Sequence, residues 1–306
     1  DEGESGLAQD SVVTGPSLSR GAVGASSSAM AGSDWGSELE GLEMKEKVGS
    51  GSTAEVYRGV FKGREVAVKQ FPLSVVMRAT AKKSMEREIA IMKELVHPSL
   101  VEFIGIMSTD THFSLVTEFC RGGCLYELLH ESEMELSLTQ QVKILRDVAE
   151  AMNFLHHKTI IHRDLKSLNL LLAEPVLTAE SEPWVKISDF GASRIVSMGH
   201  GEIMTKSVGT QHWMAPEVIE AEQYDEKVDV YSYAMILYEV LCREVPFENK
   251  SAAAVAIMVF RGERPDLNAV PPDCPQVLFG LMLRCWSQEA KSRPSFDEII
   301  PVLATV

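Results

Sequence analysis

Basic residues are in short supply in this 306-residue sequence: 29 lysines and arginines face 44 aspartates and glutamates, a formal charge of −15 with histidine neutral. The deficit argues against a dedicated nucleic-acid binder, which carries a basic field, and against a polybasic membrane-surface protein. Long apolar runs are missing too. The longest, Ala252 to Phe260, has nine residues, far short of the ~20 that a membrane span needs. No charged-then-apolar leader opens the chain, so secretion is not expected. The first residue is Asp rather than Met, and the sequence is therefore read as a fragment. Cysteine is scarce: five residues, with no C-x-x-C pair, fit a reducing compartment and a cytoplasmic location. What is present is ordinary for a soluble protein with sizeable cores. Hydrophobic residues make up 45% and charged ones 24%, and at ~150 residues per domain the length suggests about two globular units.

Residues 1–40 differ from the rest. Seven glycines and nine serines fall among them, and seven acids against Arg20 give this piece −6 of the total charge. Such a stretch buries too little apolar surface to offset its ordering entropy, so it is read as a disordered flank or linker. From Leu42 the pattern changes. Lys47-Val48, Ala54 to Val60 and Glu65 to Gln70 read as strands separated by glycine-containing turns. Apolar Met85, Ile89, Met92 and Leu95 recur at helical spacing within Thr80–Val96, and His97-Pro98 closes that helix. Leu100–Met107 and Phe113–Phe119 add two more strands. Beyond Arg121-Gly122-Gly123 the chain turns helical: Ser137–His157, Glu226–Leu241, Ala252–Arg261, Pro275–Trp286 and Phe296–Leu303. The region Ile160–Met214 between them is strand and loop. A small strand-rich unit precedes a larger helical one.

Two motifs are weak alone. Val48-Gly49-Ser50-Gly51-Ser52-Thr53-Ala54-Glu55-Val56 sets two glycines between strands, where backbone N–H groups can approach phosphate oxygens; a plain hairpin reads the same way. Lys69 ends the strand Val66-Ala67-Val68-Lys69, as a snorkelling lysine also would. His162-Arg163-Asp164-Leu165-Lys166-Ser167-Leu168-Asn169 is sharper. Its fixed set of H-R-D, K and N should recur by chance on the order of once per ten thousand such chains. Asp189-Phe190-Gly191 and Ala215-Pro216-Glu217 follow in order.

With these motifs the sequence resembles the eukaryotic protein-kinase family from Leu42 to the C-terminus. The resemblance implies a bilobal α+β kinase fold over 41–306, with a small β-rich N-lobe (41–120) carrying one helix and a larger, mainly helical C-lobe (121–306). It also implies ATP, Mg²⁺ and protein substrates. Little covalent work is needed in phosphoryl transfer; phosphate charge must be neutralised and the donor phosphorus held in line with an acceptor oxygen. By resemblance, Val48, Gly49, Ser50, Gly51, Ser52 and Val56 cover the phosphates and, with Ala67, Thr117, Glu118, Cys120 and Leu171, form the nucleotide site. Lys69 contacts the α- and β-phosphates and is held by Glu88; Glu86 is the rival, but Glu88 shares a face with Met85 and Met92. Asp189 and Asn169 supply oxygen ligands for Mg²⁺. Asp164 takes or orients the proton of the attacking hydroxyl, Lys166 stabilises the transferring phosphoryl, and Thr210 bonds both. Phe103, Met92, Phe190 and His162 match a stacked apolar spine based on Asp229, Glu217 pairs with Arg293, and Thr117 is the small residue behind the adenine site.

Lys166 after Asp164 is the serine/threonine pattern, whereas Cys285-Trp286, Arg293-Pro294 and Trp213-Met214 are tyrosine-kinase-like. Together they are similar to the tyrosine-kinase-like group, such as Raf and mixed-lineage kinases. Tyrosine or dual specificity is the lesser option. Thr53 and Ala54 depart from the usual aromatic and third glycine of the phosphate loop, which keeps open a pseudokinase scaffold. Asp164 and Asp189 stand 25 residues apart, and Ala173–Pro183 reads as a polar hairpin extension, a passive surface loop. Arg163 beside Asp164 calls for an anionic partner. A phosphate on Thr205 or Ser207, held with Arg194 and added by an upstream kinase or by autophosphorylation, is the expected one.

Overall fold

A computed structural model describes residues 39–50, 54–77, 79–189, 194–195 and 210–306, with the side chains of 79, 80, 84, 87, 88, 194, 195 and 210 outside that description. The expected flank therefore lies outside the described residues up to 38.

Strands β1 (Glu43–Ser50), β2 (Glu55–Phe61), β3 (Arg64–Pro72), β4 (Phe103–Ser108) and β5 (His112–Glu118) form one antiparallel sheet in the order β1-β2-β3-β5-β4. The β2–β3 turn is Lys62-Gly63, both with positive φ (51° and 77°), the two-residue geometry that matches the twist of the flanking strands. Side chains alternate along β3. Val66 and Val68 are fully buried with Val116 on one face, while Ala67 and Lys69 stand half-exposed on the other. Leu39, which the sequence reading assigns to the flank, is buried against the valine face. Its side chain occupies the space beside Gly105, where an added Cβ would meet Leu39 Cδ2 at 3.0 Å.

Helix α1 (Leu73–Val76) was not expected from the sequence; four residues are too few to show a period. Helix α2 (Ala79–Glu94) buries Met85, Ile89 and Met92, the face the 3.6-residue period selects.

The second lobe is built around α5 (Lys227–Cys242), buried continuously from Val228 to Leu241. Helix α3 (Leu138–His157) starts at a capping box in which Ser137 and Gln140 satisfy each other's backbone N–H. Tyr233 of α5 donates its hydroxyl to Leu145 O of α3 at 3.0 Å. Short strands β6 (Ile160–Ile161), β7 (Leu170–Leu172), β8 (Val185–Ile187) and β9 (Arg194–Ile195) form two small sheets, β6–β9 and β7–β8. Helices α4 (Pro216–Ile219), α6 (Ala252–Phe260), α7 (Gln276–Cys285) and α8 (Phe296–Leu303) complete the lobe. A wide five-residue turn, Glu127–Glu131, also escapes the sequence reading. Arg243, just past α5 with φ of 54°, holds this region by donating to the carbonyls of Leu129 (3.1 Å), Ser132 (2.6 Å) and Met134.

The segment joining β7 to β8 is a hairpin connection, as expected, but it is not passive. Val176 is buried, and Gln140 Nε2 donates to Thr178 O at 3.0 Å and Ser181 O at 2.8 Å. Anchored backbone, rather than composition, decides how such a loop behaves.

Candidate active site

A buried anchor fixes the start of the segment His162–Asn169. Arg163 has a φ of 69°, a conformation that costs a non-glycine residue roughly 1–3 kcal/mol unless its surroundings enforce it. The enforcement comes from Asp229, fully buried on α5. Its Oδ2 accepts the His162 N–H (2.9 Å) and its Oδ1 the Arg163 N–H (2.8 Å), while His156 Nε2 lies 2.9 Å from Oδ2. Burial pushes the Asp229 carboxyl up, but the His156 contact and charge, His162 and the Arg163 N–H outweigh it and hold it below the usual carboxylate range. His162 is wholly buried, with Nε2 3.1 Å from Ser188 O, which fits the packed histidine expected from the sequence.

Beyond this anchor stand the catalytic candidates. Lys166 Nζ lies 3.0 Å from Asp164 Oδ1 and 2.8 Å from Oδ2. Asn169 Nδ2 donates to Asp164 O (2.7 Å) and Oδ2 (3.0 Å). A carboxylate offers about four acceptor positions. Among the described residues, these contacts leave Oδ1 with capacity for one further donor.

Ser188 links this loop to Asp189. Its N–H (2.9 Å) and Oγ (3.0 Å) both donate to Asn169 O. Asp189 has a φ of 62°, again in the left-handed region, and its Oδ1 sits 3.1 Å from Lys69 Nζ of β3. Burial pushes the Asp189 carboxyl up, but Lys69 at contact distance, with His162 and Lys166 nearby, outweighs it and holds it low. Lys69 thus faces the cleft, paired in register with Val56 on β2 and Leu115 on β5, next to Ala67, which pairs with Thr117. Val56, Ala67, Thr117, Cys120 and Leu171 are all half-buried.

Glu86 is exposed and 3.9 Å from Lys82 on the helix surface, so it does not compete for Lys69. Glu88 lies on α2, and its side chain is outside the described residues, as are Gly51, Ser52, Phe190, Thr205, Ser207 and the side chains of Arg194 and Thr210. Val48 is exposed on β1, and Gly49 and Ser50 pair with Val56 and Glu55 at the mouth of the hairpin. Arg163 Nη1 lies 3.1 Å from Tyr224 Oη.

The sequence reading did not find how the interlobe connection is secured. The side chain of Glu118 turns to β8, where Lys186 Nζ is 2.7 Å from Oε1, and to the residue just before β4, where Oε1 accepts the Glu102 N–H at 2.8 Å. Lys186 lies over the Trp184 ring, whose Nε1 donates to Pro98 O at 3.1 Å. The available signal was a lysine between two apolar residues in Val185-Lys186-Ile187. Past the connection, Gly122 donates to Leu172 O at 2.9 Å, and an added Cβ there would lie 2.5 Å from both Glu174 O and Leu172 Cβ. Only glycine permits that approach.

The chemistry of the donor set suits a hard cation. The Asn169 carbonyl oxygen and the second Asp189 oxygen are oxygen ligands. Among the described residues no group of three or more His, Cys, Asp or Glu side chains could hold a metal unaided. A divalent ion here would draw its remaining ligands from water and phosphate oxygens. Also among the described residues, no helix is long and apolar enough to cross a membrane.

Residues 42–303 match the family model for protein tyrosine and serine/threonine kinases. The chain is 36% identical to serine/threonine-protein kinase STY17 of Arabidopsis thaliana over 88% of its length and 45% of that protein's. It is 35% identical to STY46 of the same plant, over 89% and 45%. To serine/threonine-protein kinase TNNI3K of Homo sapiens it is 36% identical, over 86% and 31%. The chain thus spans less than half the length of these curated relatives. Membership implies ATP and a divalent cation, and the oxygen donors at Asn169 and Asp189 fit the cation. On its matched length, its relatives and its motifs, the chain belongs to the protein tyrosine and serine/threonine kinase family, in the tyrosine-kinase-like group.

Proposed function

We propose that residues 41–306 form a protein serine/threonine kinase domain that transfers the γ-phosphoryl of ATP to serine and threonine hydroxyls of proteins. The observation that carries this reading is the convergence of Lys69 and Asp189 from one side with Asp164, Lys166 and Asn169 from the other, linked by Ser188.

In this reading Asp164, oriented by Asn169, uses the free position on Oδ1 to accept the hydrogen of the attacking hydroxyl. Lys166, already beside that carboxylate, stands where negative charge grows on the transferred group. Lys69 holds the donor phosphates, supported by Glu88. Asn169 and Asp189 would hold Mg²⁺, which when bound neutralises phosphate charge. Val48, Gly49, Ser50, Gly51, Ser52 and Val56 cover the nucleotide, and Ala67, Thr117, Cys120, Leu171 and the Glu118 backbone frame its base. The serine/threonine preference rests on Lys166 and on the names of the relatives.

The reading extends to setting. The location is cytoplasmic, and phosphorylation at Thr205 or Ser207, by an upstream kinase or by the domain itself, activates transfer through Arg163. Thr205→Ala and Ser207→Ala, singly and together, would leave activity untouched if that regulation is absent.

The direct test incubates the chain and its Asp189→Asn variant with radiolabelled ATP, Mg²⁺ and a degenerate peptide mixture, followed by phosphoamino-acid analysis. Label on serine and threonine that is lost in the variant is expected. Equal label from both would favour a nucleotide-binding scaffold.

A further inference from the structure

A series of alternating carboxylates and guanidinium groups crosses the interlobe connection, and the chemistry above does not use it. Arg58 of β2 donates from Nε to Glu46 Oε1 of β1 at 2.8 Å, and from Nη1 to Glu65 Oε1 of β3 at 2.5 Å. Arg121, just past the connection, donates from Nε to the other Glu65 oxygen at 2.6 Å. Its Nη1 donates to Glu174 Oε1, in the link between β7 and β8, at 2.9 Å.

Arg121 is where the series changes lobe. Its N–H donates to Ala173 O at 3.0 Å and that of Gly122 to Leu172 O at 2.9 Å, so the backbone here is fixed to the second lobe. The guanidinium reaches Glu65 in the sheet of the first lobe, 56 residues back in the sequence. Ala67, two positions further along β3, stands at the proposed base site, and β1 and β2 flank the glycines of the proposed phosphate hairpin. The strands that cover the nucleotide are therefore tied to the second lobe through one side chain.

The five side chains are 24–64% exposed, so their pairs contribute little to folding and are screened by salt. The Arg121 contact, then the Arg58 contact, holds the Glu65 carboxyl below the usual carboxylate range, which keeps this link charged at neutral pH. A small free energy suffices where two lobe positions lie close in energy, because a contact made in only one of them shifts the balance toward it. Rotating the lobes apart carries Glu65 away from the anchored Arg121 backbone and loses the fork.

We infer that Arg121, forked between Glu65 and Glu174, is an interlobe strut that favours the lobe arrangement seen here and so tightens nucleotide binding in a salt-dependent way. The inference rests on nucleotide binding in the proposed cleft. Arg121 acts on the nucleotide only through the relative position of the lobes, since apparent affinity scales with the fraction of chains in the binding-competent arrangement.

The test titrates adenosine into the full chain by calorimetry. Adenosine carries no phosphate, so salt does not screen its own contacts. Between about 0.05 and 0.5 M KCl the wild type is expected to lose about threefold in adenosine affinity. Arg121→Gln should already be about threefold weaker at low salt and lose little more at high salt. Because both carboxylates act through one guanidinium, Glu65→Gln/Glu174→Gln should also lose about threefold, rather than the ninefold of independent sites. Equal salt dependence in wild type and Arg121→Gln would overturn the inference, as would unchanged low-salt affinity in that variant. A fall in its melting temperature of more than about 4 °C would assign any loss to a damaged connection and overturn it too. A wild-type chain that binds neither adenosine nor Mg-ATP overturns the nucleotide-binding reading itself, and the strut with it.

Discussion

Replacing Glu217 by alanine strands the Arg293 guanidinium in the interior. That side chain is 0% exposed and Glu217 only 12%. The two meet in a fork, Nη1 to Oε1 at 2.6 Å and Nη2 to Oε2 at 2.9 Å. Arg293 also donates to the carbonyls of Ser287 (2.9 Å), Lys227 (3.0 Å) and Gln288 (3.3 Å), and it lies 5.1 Å from the Tyr231 ring centroid. In Glu217→Ala these carbonyls remain but the countercharge is gone. Breaking a buried pair from one side costs about 3–5 kcal/mol. At ~2–4 °C per kcal/mol for a domain of this size, the melting temperature should fall by about 10 °C, read by circular dichroism. Removing both charges in Glu217→Ala/Arg293→Met should recover most of the loss, because an apolar replacement of a buried pair is often near neutral. A single variant melting within about 2 °C of the wild type would refute this reasoning, since a loss that small is what an exposed ion pair gives.

Gly122→Ala should cost about 1–3 kcal/mol, seen as an earlier denaturation midpoint, because its Cβ would collide with Glu174 O and Leu172 Cβ; an unchanged midpoint would contradict the close approach. Asp229 has a folded pKa below its unfolded one, so its stabilisation is present above about pH 4 and is lost as pH falls through the lower folded value. Asp229→Asn should therefore be less stable at pH 7 and show a flatter acid limb in urea titrations, and an acid limb as steep as the wild type's would count against the anchor. Burial pushes the Cys120 thiol up to about 12. At pH 8 its thiolate fraction is then ~10⁻⁴, so iodoacetamide should label it about a thousandfold more slowly than a free cysteine; rapid labelling in the native protein would show the site is open.

The sequence is most legible where the physics is local. Helix α8 runs from Phe296 to Leu303 as read, and α3 begins one residue inside the expected Ser137 because that serine is its cap. Apart from the four-residue α1, the order of strands and helix in the first lobe follows from period and turns alone. The catalytic candidates are legible as motifs, and the structure places Lys69 beside Asp189 and both Lys166 and Asn169 beside Asp164. What stayed hidden depends on distance along the chain. Glu239 receives Ser167 from 72 residues away and His130 from 109, and nothing in Tyr238-Glu239-Val240 marks an acid as buried. Lys186 and Glu118 are 68 residues apart. Leu39 sits in a glycine- and serine-rich neighbourhood whose composition conceals a side chain that packs beside Gly105. The β7–β8 connection reads as polar because its anchors are backbone carbonyls, which carry no sequence signal.

The role proposed for Asp164, a carboxylate next to the Lys166 amine, has one decisive kinetic signature. Steady-state turnover of peptide should be compared between the wild type and Asp164→Asn at saturating Mg-ATP, with nucleotide affinity measured in parallel. A fall in kcat of about 10²–10⁴-fold with ATP affinity nearly unchanged is expected of a residue that acts only on the acceptor hydroxyl. Equal turnover in the two proteins would contradict the assignment of this cleft to phosphoryl transfer.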